Sequence, residues 1–319
     1  MLSYSCTVNP GVLPAIRLDR YVAENLKILS RSQIKSRQLK ARLNGKDVKV
    51  SRLLRGGEYL ELSWSEPESL FLIPEELPLD IIYEDERVIV VNKAQGMVVH
   101  PGAGNRQGTL ANALLWRRLE RKKSGNFAEG YRPGIVHRLD KDTSGLIIAA
   151  WDEEAHAFLS EQFKARKVLK SYAAFVHGCP KDETGLIDKR IIRSKGNRKL
   201  FTVTDSGGRP SLTYYKVIRN YGDYCLLLLR PKTGRTHQIR VHLKYLGNPI
   251  IGDPLYGHKD RGFSSFTLML HAKRLSLVLP SAGGEARIGA AVPSGQPILS
   301  TFRAPFPARF KRIIKKPVF

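Results

Sequence analysis

From residue 80 onward the chain breaks repeatedly into short runs rich in β-branched, aromatic and leucine residues. These are DIIYEDERVIVVNK at 80–93, GLIIAA at 145–150, SYAAFVHG at 171–178, SLTYYKVI at 211–218, YCLLLLR at 224–230 and MLHAKRLSLVL at 269–279. Runs of that length and composition form strands. Helical spacing is confined to 109–121, 152–166 and 235–246, so strands and helices do not alternate regularly. That order argues against a doubly wound parallel sheet and predicts an α+β domain on a mixed, mostly antiparallel sheet.

The region before residue 80 has a different character. Residues 17–55 carry twelve Lys or Arg against Asp19, Glu24 and Asp47, a local balance of +9. Leu18, Tyr21, Val22, Leu26 and Leu29 fall at helical spacing, and Ser30 or Ser32 can cap a second helix that holds Ile34. Asn44-Gly45 reads as a turn into the alternating Val48 and Val50, with a closing strand at 60–62. The stretch 65–78 loses the basic character and carries Pro67, Pro74 and Pro78, which break helices and sheet interiors. The expected organisation is a small α/β unit at 1–64, a linker at 65–79 and a larger domain at 80–319.

A formal charge of +24 and a pI near 10.1 point to a nucleic-acid partner, because such a surface releases counterions from a phosphate backbone. No apolar run approaches the roughly 18 residues that span a bilayer, and the N-terminus lacks a charged start followed by an apolar stretch. A cytoplasmic protein without a membrane partner is expected. Cys6, Cys179 and Cys225 form no C-x-x-C pair, which argues against a disulfide framework or a zinc site. His237 and His242 lack the Glu of a zinc helix, and Gly102-Ala103-Gly104 lacks the full dinucleotide-binding pattern.

The densest polar cluster is Gly134-Ile-Val-His-Arg-Leu-Asp-Lys-Asp-Thr-Ser-Gly-Leu146, set between two apolar runs. By composition alone it reads equally as a charged turn or as a catalytic loop at strand ends. Its HRLDKDTSGL portion resembles the signature of the RluA-like pseudouridine synthases, which isomerise uridine to pseudouridine in RNA. The resemblance continues in order along the chain through NKAQGMVVHPGAG at 92–104, KSYAA at 170–174, GRTHQIRVHL at 234–243, GDPLYG at 252–257 and LHAKRL at 270–275. Residues 17–62 resemble the S4 RNA-binding fold, which in this family accompanies enzymes of the large-subunit ribosomal RNA type.

The resemblance implies a pseudouridine synthase fold for 80–319 and an enzyme that works without cofactor or metal, as a monomer, on RNA and most of all ribosomal RNA. The reaction breaks the N1–C1′ bond, turns the base and joins C5 to C1′. Asp140 is implied as the essential carboxylate, acting as nucleophile on sugar or base or by assisting glycal formation, in the manner of carboxylates that stabilise or trap an oxocarbenium centre. Arg240 is implied as its ion-pair partner and Tyr172 as the ring that stacks on the base and assists removal of the C5 proton. Arg138 is implied to fill the space left by the flipped uridine. Arg235 reads as a second partner of the carboxylate or a phosphate contact. In the N-terminal unit Arg17, Arg20, Arg31, Lys35, Arg37, Lys40 and Arg42 are the expected RNA-binding side chains. His137 and Thr143 are expected to shape the loop.

Three departures from the family pattern stand out: Ala94 where proline is usual, Ala41 where a glycine normally ends the second S4 helix, and a longer segment at 281–295. Within the family, a tRNA-modifying enzyme is the rival to an rRNA-modifying one. Outside it, the alternatives are a non-catalytic RNA-binding or ribosome-assembly protein and a hydrolase that releases bases.

Overall fold

The computed structural model describes residues 2–11, 15–65, 72–102, 104–122, 133–194, 196–258, 261–280 and 299–314. The segment 281–295 lies outside them. The chain divides into two compact units, Met1–Phe71 and Leu72–Phe319.

Unit 1 contains β1 (Leu2–Thr7), β2 (Ile16–Arg17), α1 (Leu18–Arg20), α2 (Arg31–Ser36), β3 (Lys40–Leu43), β4 (Lys46–Val48), β5 (Leu53–Leu54) and β6 (Tyr59–Trp64). α1 runs directly into a π-helical turn at Tyr21–Asn25, so the first predicted helix is present but short and wide. Ser30 caps α2 with a capping box: its hydroxyl accepts from Gln33 N (3.3 Å), and Gln33 Oε1 accepts from Ser30 N (2.7 Å). This is the capping arrangement a serine three residues before a glutamine favours. The helix leaves through Gln38, whose φ of +50° takes the left-handed position. Ala41 is therefore not a helix terminator; it lies buried within β3, paired with Val48 and Leu62. Asn44 and Gly45 both have positive φ, the geometry of a tight hairpin turn between β3 and β4. The sheet runs β1-β6-β3-β4 and buries Leu60 and Leu62 with Leu18, Val22 and Leu29. The strand β1 that forms its edge was not expected from the sequence.

Unit 2 contains β7 (Ile81–Glu84), β8 (Val88–Lys93), α3 (Leu110–Lys122), β9 (Gly134–Ile135), β10 (Ser144–Ala150), α4 (Glu153–Lys164), β11 (Leu169–His177), β12 (Thr184–Asp188), β13 (Arg190–Arg193), β14 (Phe201–Thr204), β15 (Leu212–Asn220), β16 (Tyr224–Pro231), α5 (Gln238–Tyr245), β17 (Leu270–Val278), β18 (Leu299–Arg303) and α6 (Ala308–Ile314). Its main sheet has the order β12-β15-β16-β11-β17-β10-β8-β7, with β18 on β17 and β9 on β10. All strand pairs among the described residues are antiparallel except β10 with β17. The expected mixed, mostly antiparallel sheet is thus present.

β10 is buried along its whole length, as its unbroken apolar run requires. Leu146, Ile148 and Ala150 pack with Ala155 and Leu159 of α4, while Ile147 and Ala149 pack with Leu110 and Leu114 of α3. The other half of the sheet buries Phe175, Leu227 and Leu229 against Leu243 of α5 and Phe310 of α6. Of the stretch 65–79, Leu72 and Leu79 pack on the α3 side, and Asn112 Nδ2 donates to Ile73 O at 2.8 Å. No helix among the described residues is long and apolar enough to cross a membrane.

Candidate active site

Strand register brings the motifs together. Ser144 and Gly145 open β10 parallel to His271 and Ala272 of β17. Ala272 faces Tyr172 of β11, and Tyr172 faces Leu229 of β16 on its other side. The loop before β10, the start of β11 and the segment after β16 consequently wall one cleft of about 470 Å³ that includes Asp140, Tyr172, Arg138, His237 and Arg240. The strands approach closely here: Gly145 has φ +114°, and a Cβ on it would lie 2.6 Å from Ala272 N. Only glycine meets both conditions.

The loop 136–143 is held from behind. Lys93, 1% exposed, donates from Nζ to Ala94 O (2.8 Å), Met97 O (2.8 Å) and Lys141 O (3.0 Å). Burial pulls its ammonium down to about 7, opposed by Asp142 and Asp140. Three carbonyl acceptors use all three N–H groups and so favour the charged form. Gln95 Nε2 donates to Asp142 O (2.9 Å) and Leu268 O (3.0 Å). The turn closes around Lys93 with Ala94 in proline's usual place. Ser144 Oγ meets His271 Nδ1 at 2.9 Å and accepts from Arg309 Nη2 of α6 at 2.6 Å. His137 Nε2 accepts from Ile148 N (3.0 Å), and its ring stacks on Phe163. Burial lowers it to about 3, so it stays neutral and serves the loop.

Arg240 is 3% exposed. Its Nη1 lies 3.6 Å from Asp140 Oδ2, a charge contact rather than a hydrogen bond. The short bonds go elsewhere: Nε and Nη2 fork onto Asp253 at 2.7 Å each. Asp253 Oδ1 also accepts from Leu255 N (2.9 Å) and Tyr256 N (3.1 Å). The expected pairing of Arg240 with Asp140 is therefore shared, and the stronger partner is a residue the sequence reading did not single out. Burial works against the Arg240 charge, but Asp253 and then Asp140 hold its pKa above the ordinary guanidinium value. A fork of this kind fixes a guanidinium in plane and direction.

α5 starts at Gln238 rather than 235, because His237 takes φ +55° and cannot continue a right-handed helix. That turn carries the imidazole into the cleft, with Nε2 4.0 Å from Asp140 Oδ2 and Nδ1 2.9 Å from Tyr256 Oη. Tyr256 Oη accepts from Phe201 N at 2.8 Å, which leaves its own proton for His237 Nδ1. When Tyr256 donates to Nδ1, the neutral ring carries its own proton on Nε2, facing Asp140. Burial lowers the His237 pKa, opposed by Asp140. Tyr172 is half-buried; burial and then the Asp140 charge raise its phenol, so its hydroxyl stays protonated at neutral pH.

Arg138 is exposed on the cleft wall and makes no ion pair with another described residue. Arg235 lies before α5, half-buried on the cleft wall, with Nε 3.4 Å from Pro210 O. His242 is buried on Thr213 Oγ1 (3.0 Å), apart from the cleft lining. No three His, Cys, Asp or Glu side chains among the described residues gather where they could hold a metal. In unit 1, Arg17 and Arg31 both reach Asp19 (2.9 and 3.8 Å), Arg20 pairs with Glu24 (2.7 Å) and Arg42 with Asp47 (3.4 Å). Lys35 and Lys40 are exposed and Arg37 is half-buried.

A family model described as RNA pseudouridylate synthase matches residues 87–245. The chain is 44% identical over 269 residues to the ribosomal large subunit pseudouridine synthase D of Borreliella burgdorferi, covering 82% of each chain. It is 39% identical over 280 residues to an uncharacterized RNA pseudouridine synthase of Bacillus subtilis, covering 87% of this chain and 90% of that one. Among solved structures, human RNA pseudouridylate synthase domain containing 1 superposes with a TM-score of 0.51 at 32% identity, covering 68% of this chain and 82% of its own.

Proposed function

The chain belongs to the RNA pseudouridylate synthase family, and from that membership we propose that it isomerises uridines of large-subunit ribosomal RNA, with Asp140 as the catalytic carboxylate. The observation that carries the reading is Asp140 itself, a lone carboxylate among the described cleft-wall side chains. It faces a buried arginine whose direction is set independently by Asp253.

A target uridine leaves the RNA stack and enters the cleft, with Arg138 at its mouth offsetting part of the unstacking cost of a few kcal/mol. Tyr172 takes the base on its ring face. Asp140 meets the reacting nucleotide as the N1–C1′ bond breaks, while Arg240 and His237 face its carboxylate and aim it. The base turns, C5 joins C1′, and the C5 proton is lost while N1 gains one, so the product is an isomer of the substrate. With its pKa raised, the Tyr172 hydroxyl takes part as a hydrogen-bonding group, not as a standing phenolate. Unit 1 is the proposed S4-like RNA anchor, supported by its capped helix, its hairpin and the exposed Lys35 and Lys40.

Pseudouridine maps of ribosomal and transfer RNA, compared between cells with and without the protein, test the substrate. Specific sites in large-subunit rRNA should vanish in its absence and return with the wild-type chain but not with Asp140→Asn. Loss confined to tRNA would overturn the rRNA assignment, and full rescue by Asp140→Asn would overturn the carboxylate's role.

A further inference from the structure

The catalytic reading uses Asp140, Tyr172, Arg240 and Arg138, but leaves the strongest imbalance of the cleft unexplained. Its wall also carries Arg166, Lys170 and Arg235, and none of these meets a carboxylate among the described residues.

Lys170 is half-buried on β11, and no acceptor for its ammonium is found among the described residues. Its Nζ sits 6.0 Å over the Phe163 ring and 3.9 Å from where a Cβ on Gly234 would lie, and burial pulls its pKa down. An ammonium held partly out of water without an acceptor is costly unless a ligand completes it. Gly234 is the neighbour of Arg235, whose bond to Pro210 O is long and uses Nε alone. The two terminal nitrogens of that fork meet no acceptor among the described residues. Arg235 is further disfavoured by burial and by the nearby Arg209 and Arg166. Arg166 itself stands at φ +58°, in the left-handed region that a non-glycine residue occupies at some cost. Cations thus converge from the end of α4, from β11 and from the loop before α5 without a paired carboxylate among the described residues.

Position identifies the ligand. Lys170 and Tyr172 are i and i+2 on one strand, so they point to the same face about 7 Å apart. If Tyr172 holds the base, Lys170 stands roughly one ribose away along the same nucleotide. We propose that Lys170 and Arg235 form a phosphodiester subsite for the nucleotide whose base enters the cleft, with Arg166 and Arg209 at its rim guiding the next phosphate out. The inference rests on the RNA-isomerising reading above and deepens it: the enzyme grips one backbone charge at the reacting nucleotide itself. A phosphate held equally before and during the reaction lowers KM without changing kcat.

The test uses a short RNA carrying a uridine that the wild-type enzyme converts, with a single uncharged methylphosphonate placed in turn at each linkage around that uridine. For the wild type, one linkage adjacent to the uridine should raise KM and Kd about tenfold, the value of one charge-assisted hydrogen bond. Lys170→Met and Arg235→Gln should each raise KM to a similar extent on unmodified RNA, with kcat within about threefold. The combination of either variant with that methylphosphonate should be little worse than either alone, while neutral linkages farther away should add independently. Thermal melts confirm that both variants fold, and either one suffices if the other does not. Strictly additive losses at both adjacent linkages would overturn the subsite, as would a wild type indifferent to them or a variant whose loss falls on kcat. Failure of the wild type to form pseudouridine in any RNA would instead strike the functional reading, and the Kd comparison on rRNA fragments would still decide the subsite.

Discussion

Substituting the two carboxylates that flank Arg240 should have opposite consequences, although each loses the same charge. Asp253 has no exposed side-chain surface and receives both short bonds of the arginine fork plus two backbone N–H groups. In Asp253→Asn the carbonyl can stay at the Oδ1 position and keep three of those donors, but the NH2 then faces Arg240 Nε, donor against donor. The guanidinium remains buried with Asp140, 3.6 Å away, as its one remaining carboxylate among the described residues. Breaking a buried pair from one side costs about 3–5 kcal/mol, and we take about 3 because the backbone donors survive. For a unit of this size that lowers the melting temperature by about 6–12 °C. Asp140 is 21% exposed and only in charge contact, so Asp140→Asn should move stability by less than about 1 kcal/mol, or under about 4 °C. Thermal unfolding at neutral pH gives the first comparison, and pseudouridine formation well below both melting points gives the second. Asp140→Asn should be folded and inactive. Asp253→Asn should be destabilised and slow, because Arg240 is free to swing onto Asp140. Equal losses of stability in the two variants, or the reverse order, would refute the division of Arg240 between a structural and a functional carboxylate.

Tyr172→Phe should keep base stacking and retain a slow, measurable turnover, and the wild-type pH–rate profile should show no tyrosinate-driven rise below pH 10, since burial and Asp140 raise the phenol. His242 and His271 are fully buried and lowered by burial to about 4. The unfolded chain therefore binds protons below about pH 6.5 that the fold resists, and each histidine should cost about 2 kcal/mol between pH 7 and 5. A melting temperature flat over that range would contradict their neutral burial. Gly145→Ala should destabilise unit 2 by more than about 3 kcal/mol, because the new Cβ meets the Ala272 backbone at a positive φ; near-wild-type melting would show that β10 and β17 can part. A chain shortened to begin at Leu72 should fold, since Leu72, Ile73 and Leu79 stay on unit 2. It should bind RNA with a log K against log salt slope flatter by about 0.7 for each phosphate that unit 1 neutralises in the full chain; an unchanged slope would remove unit 1 as the anchor.

The sheet was legible because its strands are apolar runs bounded by turns, and β10, buried on both faces, has the least ambiguous run of all. β1 was missed because Leu2, Tyr4 and Cys6 alternate weakly with serines on a mostly exposed edge. β13 and β14 were missed because Arg190, Arg193 and Thr202 dilute their apolar residues. At the site, the motifs were visible but their pairings were not. Nothing in GDPLYG says that its aspartate faces an arginine thirteen residues earlier; that meeting depends on how the turn after α5 folds back. His237 was weighed only as a zinc ligand, since a left-handed residue at a helix start leaves no mark in spacing. Lys93 reads as one more exposed cation in a basic chain until three carbonyls close on it.

The bond from Arg309 to Ser144 spans 165 positions of sequence. At about 5–20 residues per second of synthesis, Ser144 waits roughly 8–33 s for that partner to be made. β17, which must also slot beside Gly145, arrives only shortly before. The signature strand therefore meets β8, β9 and α3 as soon as it is made but waits for β17 and α6 on its other side, while unit 1 has its core within its first 64 residues. A nascent chain passes through an interval in which its N-terminal unit can be complete and the Asp140 loop is already held by Lys93 and Gln95, but the cleft still waits for Tyr172, His237 and Arg240 to be made.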